Sequence, residues 1–157
     1  MSAVITAIPI IGQHFSSERT PLRSTAVRRC SYVRGMISHI KFVSVPVRDQ
    51  NRALEFYTEK LGFTIITDQP FDGKQRWIEL RIPKAETRVV LFTPEGQEDR
   101  VGTFSPIVFA CTDVAKTYEE LKAKGVTFDG PPEQQPWGTF AKFRDSEENQ
   151  FVLSTSK

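Results

Sequence analysis

Two stretches of this chain repeat one hydrophobic rhythm. In residues 42–63, FVSVPVRDQNRALEFYTEKLGF, a β-branched run gives way to apolar residues at helical spacing and then to a glycine. The rhythm predicts a strand over 37–47, a helix capped by Asp49, and a second strand over 63–67. Within the helix, Ala53, Leu54, Phe56, Tyr57 and Leu61 fall on one face, and Gly62 sits where a left-handed C-terminal residue is favoured. After a turn over 70–74, residues 75–82 alternate: Ile78, Leu80 and Ile82 on one side, Trp77, Glu79 and Arg81 on the other. A fourth strand is expected over 87–93, which completes a β-α-β-β-β unit.

A weaker copy begins at 106–128, PIVFACTDVAKTYEELKAKGVTF. Asp113 takes the capping place of Asp49 and Gly125 the terminating place of Gly62. Strands are expected over 126–128, 138–144 and 150–155. The polar stretch PEGQEDRVG (94–102) suits a linker, and DGPPEQQP (129–136) reads as a stiff, proline-rich loop. The expected organisation is one domain over 36–157, made of units 37–94 and 104–155.

Residues 1–35 stand outside the repeat. Their apolar start is short, is interrupted by Pro9 and has no basic segment ahead of it, which makes a poor signal peptide. The Ser-, Thr- and Arg-rich remainder fits a targeting segment, an upstream extension before a true start at Met36, or an arm that packs elsewhere. A disordered leader is expected in each case. The leader carries five arginines against Glu18, whereas the rest has 16 basic and 18 acidic residues, a net of −2. The body therefore offers no basic surface for nucleic acid, and no apolar run is long enough to span a membrane. Cys30 and Cys111 have neither metal-ligand spacing nor the density of a disulfide framework, so a cytoplasmic setting is expected.

The paired units, together with V-x-D-x-x-R-A-x-x-F-Y-x-x-x-L-G-F, resemble the vicinal oxygen chelate superfamily of glyoxalase I, extradiol dioxygenases, and fosfomycin- and bleomycin-resistance proteins. The matching residues are Val47, Asp49, Arg52, Ala53, Phe56, Tyr57, Leu61, Gly62 and Phe63. In the second unit they are Tyr118, Glu119, Glu120, Leu121, Lys122, Gly125 and Val126. DSEENQFVL (145–153) resembles that family's D-P-D-G-N-x-x-E-L ending. The resemblance implies an α+β fold in which the two units form an open, curved mixed β-sheet cleft. It also implies up to four metal ligands from first and last strands. Those positions fall at Phe42, near Leu91, at Pro106 and at Val152, none of which can donate to a metal. One-residue shifts to Lys41, Val43, Val90, Phe92, Phe151 or Leu153 are no better. No metal and no cofactor are expected.

Other candidates remain. Trp77 offers a flat wall for an apolar ligand, Arg81 a grip for a carboxylate, and Glu79 a counter-charge or general base. The plainer alternative is an ion pair beside a half-buried tryptophan. Gln135, Trp137 and Phe140 are expected as the symmetry mates of the Gln75–Trp77 region, either as a second aromatic wall or as core. His39 lies on the face opposite Phe42 without a partner and reads as structural or exposed; His14 carries no signal. Glu119–Glu120 and Glu147–Glu148 read as solvated surface. There is no phosphate-cradling glycine motif and no nucleophile elbow.

The expected function is reversible, metal-free binding of a small organic molecule, for a role such as sequestration or resistance. The expected cleft is lined by Phe42, Trp77, Glu79, Arg81, Leu91, Pro106, Gln135, Trp137 and Val152, in a homodimer. The alternatives are a lyase or dioxygenase of the same superfamily with unusual metal ligands, a metal-free enzyme using Glu79, and an interaction module whose cleft is filled by its own side chains.

Overall fold

The computed structural model describes residues 37–155. The expectations for residues 1–35, including His14 and Cys30, lie outside them.

The first unit contains β1 (Phe42–Val45), α1 (Gln50–Glu55), β2 (Thr64–Pro70), β3 (Arg76–Arg81) and β4 (Arg88–Leu91). Its four strands run in the order β1-β4-β3-β2, with β1 parallel to β4 and the remaining pairs antiparallel. The second unit contains β5 (Phe104–Cys111), α2 (Val114–Ala123), β6 (Thr127–Phe128), β7 (Glu133–Gln135), β8 (Gly138–Arg144) and β9 (Gln150–Thr155). It repeats the order as β5-β9-β8-β6, with β5 parallel to β9.

Both helices start as their capping aspartates dictate. Asp49 accepts from the N–H groups of Asn51 and Arg52 at 3.0 and 3.1 Å, and Asp113 from that of Lys116 at 2.9 Å. Each caps donors that have no partner within the helix. Gly62 and Gly125 follow with φ of +73° and +77°.

Three local expectations are corrected. The first helix does not stay α-helical to its end: Phe56–Lys60 form a π-helical turn in which the Leu61 N–H reaches the Phe56 carbonyl at 3.3 Å. The first strand is shorter than the β-branched run suggests, because residues 37–41 hold no strand conformation. The loop expected over 129–136 contains a strand, β7, which pairs with β8 from Glu133↔Phe140 to Gln135↔Gly138. Its prolines lie at 131, 132 and 136, just outside the paired segment, where their missing N–H groups disturb no ladder.

One apolar cluster joins both units. Val45, Ala53, Tyr57, Ile78, Leu80, Val89 and Leu91 come from the first; Val114, Ala141, Phe143, Phe151 and Leu153 come from the second. Each fully buried aliphatic side chain here contributes about 1.5–3 kcal/mol by leaving water. The core therefore takes one face of each sheet, the face that α1 or α2 covers.

The polar seam between the units is organised by the turn before β9. Asp145, only 4% exposed, accepts from the N–H groups of Glu147 and Asn149 through one oxygen at 2.8 and 2.9 Å. Through the other it accepts from the Tyr57 hydroxyl and the Asn149 amide, at 2.8 and 2.9 Å. Asn149 also donates to the Pro46 carbonyl at 2.9 Å and accepts from the Gly102 N–H at 2.8 Å. Glu147, expected as solvated surface, is instead buried. It takes the Arg52 guanidinium at 2.5 Å and the Arg48 N–H at 3.0 Å, so its charge is balanced within the fold. Only Glu148 of that pair is exposed.

Candidate functional site

With the core on one face of each sheet, strand alternation assigns the other face. On the first sheet, Cα register pairs Phe42 with Arg88 and Arg88 with Arg81. The next row pairs Ser44 with Val90 and Val90 with Glu79. These residues, with Trp77 and Phe92 further along, point away from the helices.

Four rings gather there. Trp77 lies 5.3 Å from Phe42, 5.8 Å from Phe71 and 5.5 Å from Phe92, between ring centroids; Phe71 and Phe92 are 5.0 Å apart in an edge-to-face contact. Such spacings are those of favourable aromatic pairs. The cluster is nonetheless open: Phe42 is 38% exposed and Phe71 59%. Beside it, Glu79 is 8% exposed and accepts from Arg88 Nη1 at 2.5 Å, while the exposed Arg81 side chain makes no hydrogen bond or ion pair among the described residues.

Of the expected first-unit cleft residues, Phe42, Trp77, Glu79 and Arg81 share this face. Leu91 does not. It is the register partner of Val45 and Ile78, is fully buried, and belongs to the core. Val90 takes its place, completely covered yet outside the core cluster, as the floor of the free face. The one-residue offset arises because β4 is apolar on both faces, so composition gave no register. Phe71 and Phe92 were absent from the expected cleft; both are aromatic residues in the neighbourhood of Trp77, and Phe71 lies in what reads as a turn.

On the second sheet, β5 exposes Phe104, Pro106, Val108 and Ala110 and buries the side chains between them more deeply. Val152 is the register partner of both Val108 and Lys142, so it shares their face, as Pro106 does. Gln135 pairs with Gly138, and Trp137, 53% exposed, stacks on Phe140 at 5.3 Å. The expected symmetry between Trp77 and Trp137 is displaced. Ile78 pairs with Leu91 as Ala141 pairs with Leu153, which makes Phe140 the counterpart of Trp77. Gln75 is no free counterpart either: its amide donates to the Thr93 carbonyl and accepts from the Thr93 N–H, at 2.8 and 3.0 Å.

The positions at which the fold family carries metal ligands hold Phe42, Val90, Pro106 and Val152, all hydrocarbon side chains. They do not fit a metal, and among the described residues no group of three or more His, Cys, Asp or Glu could hold one. His39 is exposed, with its Nδ1 2.8 Å from the Ser38 hydroxyl. Among the described residues no helix is long and apolar enough to cross a membrane.

Surface cavities of about 780 and 380 Å³ lie away from both free faces. The larger borders Gln50, Gln75, Arg76 and Thr93. Its amides already serve the fold: Gln50 donates to the carbonyls of Arg76 and Leu91 at 2.6 and 2.8 Å and accepts from the Arg76 N–H at 2.8 Å. A smaller one of about 150 Å³ touches Phe140 and Lys142 at the edge of the second sheet.

Comparison with known proteins agrees with this architecture. The chain is 42% identical over 118 residues to the uncharacterized protein YetH of Bacillus subtilis (strain 168), covering 75% of this chain and 98% of that protein. TnmS3, an antibiotic binding protein from Streptomyces sp. CB03234, superposes with a TM-score of 0.70 at 33% identity, over 78% of this chain and 98% of its own. A superfamily member from Sphaerobacter thermophilus DSM 20745 superposes with a TM-score of 0.70 at 34% identity, over 77% and 99%. Residues 37–153 match the family model of the same group. Fold, paired units and sequence thus agree: the chain belongs to the glyoxalase/bleomycin resistance protein/dioxygenase superfamily.

Proposed function

We propose that this protein binds a small, largely aromatic organic molecule reversibly and without a metal, using the free face of its first sheet, and that it does so as a homodimer. The observation that carries this reading is the four-ring cluster of Phe42, Phe71, Trp77 and Phe92, gathered on a helix-free face with two of its rings substantially exposed. Rings held edge to face or tilted in the open favour a flat partner, because stacking removes apolar area from water with few rotamers to freeze. The hydrocarbon residues at the family's metal positions make the face drier and favour binding over Lewis-acid chemistry. The likeness to an antibiotic binding protein supports the same direction, with sequestration or resistance as the biological role.

The second free face supports the dimer. Phe104, Val108 and Trp137 are exposed on the other sheet at 58%, 56% and 53%. None of the three cavities described is bounded by residues of both free faces. A two-walled site therefore calls for a second copy, whose second sheet lies over the first sheet of its partner.

The test is a titration of the full chain with naphthylpropionamide, a neutral aromatic probe, followed by tryptophan fluorescence and thermal shift, alongside sedimentation. The expectation is a dimer whose Tm rises with probe and whose emission is quenched. In Trp77→Ala, affinity should fall at least about tenfold while the unliganded fold remains intact. Equal affinity in that variant removes Trp77 from the site, and a monomer that binds as tightly as the wild type removes the second copy.

A further inference from the structure

The free face of the first sheet is aromatic at one end, and at the other it carries two arginines in the row of Phe42. Phe71, Trp77 and Phe92 occupy one end. At the other, Arg81 and Arg88 stand as direct cross-strand partners, with Glu79 one row away. Like charges placed opposite each other on a sheet repel. Here one carboxylate stands near two guanidiniums and pairs with only one of them: Glu79 takes Nη1 of Arg88 at 2.5 Å. Arg88 retains further N–H donors, and the Arg81 guanidinium retains all five, since that side chain has no hydrogen bond or ion pair among the described residues.

Resting on the binding function proposed above, we infer that the ligand is an aromatic acid: its ring system lies against Trp77 and its carboxylate, or another planar anion, is taken by Arg81 with help from Arg88. Three features support an acid over a neutral or cationic ligand. The local balance is two positive charges to one negative. A guanidinium presents a planar fork that matches a carboxylate two bonds at a time. The aromatic floor beside it excludes water from one side of that pair, which strengthens the attraction. The geometry also sets a length. Trp77 and Arg81 are four residues apart on one strand, about 13 Å between Cα atoms. Because the arginine side chain spans part of that distance, the acid sits on a short arm from the ring rather than on the ring itself.

Glu79 then has a defined part. It keeps Arg88 extended across the sheet and limits the affinity of the site for the acid, because its own charge repels the ligand's. Replacing it with the isosteric glutamine removes that repulsion and frees Arg88.

The experiment compares naphthylpropionic acid with its neutral amide, by calorimetry at about 20 mM and about 500 mM salt. The acid should bind at least about tenfold more tightly than the amide at low salt, and the difference should shrink at high salt. Arg81→Gln, at an exposed position whose loss leaves the fold intact, should reduce the acid to the affinity of the amide and leave the amide unchanged. Glu79→Gln should tighten the acid alone. If acid and amide bind equally in the wild type, or if Arg81→Gln weakens both alike, the acid assignment is overturned while the aromatic site stands. If neither probe binds at millimolar concentration, the aromatic site itself falls and the acid assignment falls with it.

Discussion

Replacing Tyr57 with phenylalanine isolates one hydrogen bond in the seam between the units. The ring is fully buried and packs 5.5 Å from Phe56 and 5.8 Å from Phe63, so the substitution opens no cavity and deletes only the hydroxyl. That hydroxyl donates to Asp145 Oδ2 at 2.8 Å. Oδ2 keeps the Asn149 amide as a donor, so it is weakened rather than orphaned. A hydrogen bond to a charged group contributes about 1.5–3 kcal/mol, and the expected loss is about 2 kcal/mol at neutral pH. For a folded region of about 120 residues this lowers Tm by roughly 8 °C. Burial raises the Asp145 carboxyl above its usual range, and hydrogen bonds from Asn149, Tyr57 and the backbone pull it part of the way back. With the folded value above the unfolded one, this group's contribution is fully present below the unfolded pKa and is lost as pH rises through the folded pKa. Phenylalanine removes one restraining bond and raises the carboxyl further. The penalty of the substitution is therefore greatest where Asp145 is ionised, and it falls toward the value of a neutral hydrogen bond, about 1 kcal/mol, on acidification. Urea unfolding followed by tryptophan emission, in steps from about pH 7.5 to about pH 4, measures both quantities. Tyr118→Phe is the control, since the Tyr118 hydroxyl meets only the exposed Lys122 amine at 3.1 Å, and its loss should stay below about 0.5 kcal/mol. A Tyr57→Phe penalty below about 0.5 kcal/mol at neutral pH, or one that grows on acidification, refutes the argument.

Two further substitutions probe the backbone. Glu148 holds φ of +65°, a conformation costly for a side chain by about 1–2 kcal/mol, at the position where the family ending carries glycine. Glu148→Gly should stabilise by about 0.5 kcal/mol after glycine's own entropy is counted. The gain should grow in high salt, which screens the exposed 3.6 Å Arg144–Glu148 pair present only in the wild type; a loss of stability at all salt concentrations would contradict this. Gly138→Ala should do the reverse: φ is +142° and an added Cβ would lie 2.7 Å from the Thr155 hydroxyl oxygen, for a cost of about 2 kcal/mol or more in the urea midpoint. Adding Thr155→Ala should return only part of that loss, because the backbone strain remains.

The sequence was most legible where one local rule had no competitor. Asp49 and Asp113 mark helix starts, Gly62 and Gly125 mark helix ends, and strict alternation along β3 separates Ile78 and Leu80 from Trp77 and Glu79. It was least legible where burial is two-sided or polar. In β4, Val89, Val90 and Leu91 are all fully buried, so no alternation reveals that Val90 rather than Leu91 faces away from the core. Glu147 looks like surface because its partners, Arg52 and the Arg48 backbone, are nearly a hundred residues earlier, and no local pattern reports a pairing that distant. The π-helical turn is invisible for a similar reason. The side chains keep an apolar face through it, so their spacing does not report the shift of the Leu61 N–H to the Phe56 carbonyl.

The two free faces are related by the repeat, yet their chemistry has diverged, and the divergence bears on the binding role proposed above. Register makes Lys142 the counterpart of Glu79, since both sit beside a last-strand valine: Lys142 beside Val152, Glu79 beside Val90. Phe140 corresponds to Trp77 on the same grounds. A chain that used both faces alike would keep the charges alike, because a ligand seated in either half would meet the same groups. Instead the first sheet carries a compact ring cluster beside a paired carboxylate and an unpaired arginine. The second carries a looser apolar surface with the Trp137–Phe140 stack at its rim. In the dimer proposed above, the first would supply recognition and the second would supply cover. Affinity should therefore respond to Trp77 and Arg81 more steeply than to Trp137, although all three are accessible in the single chain.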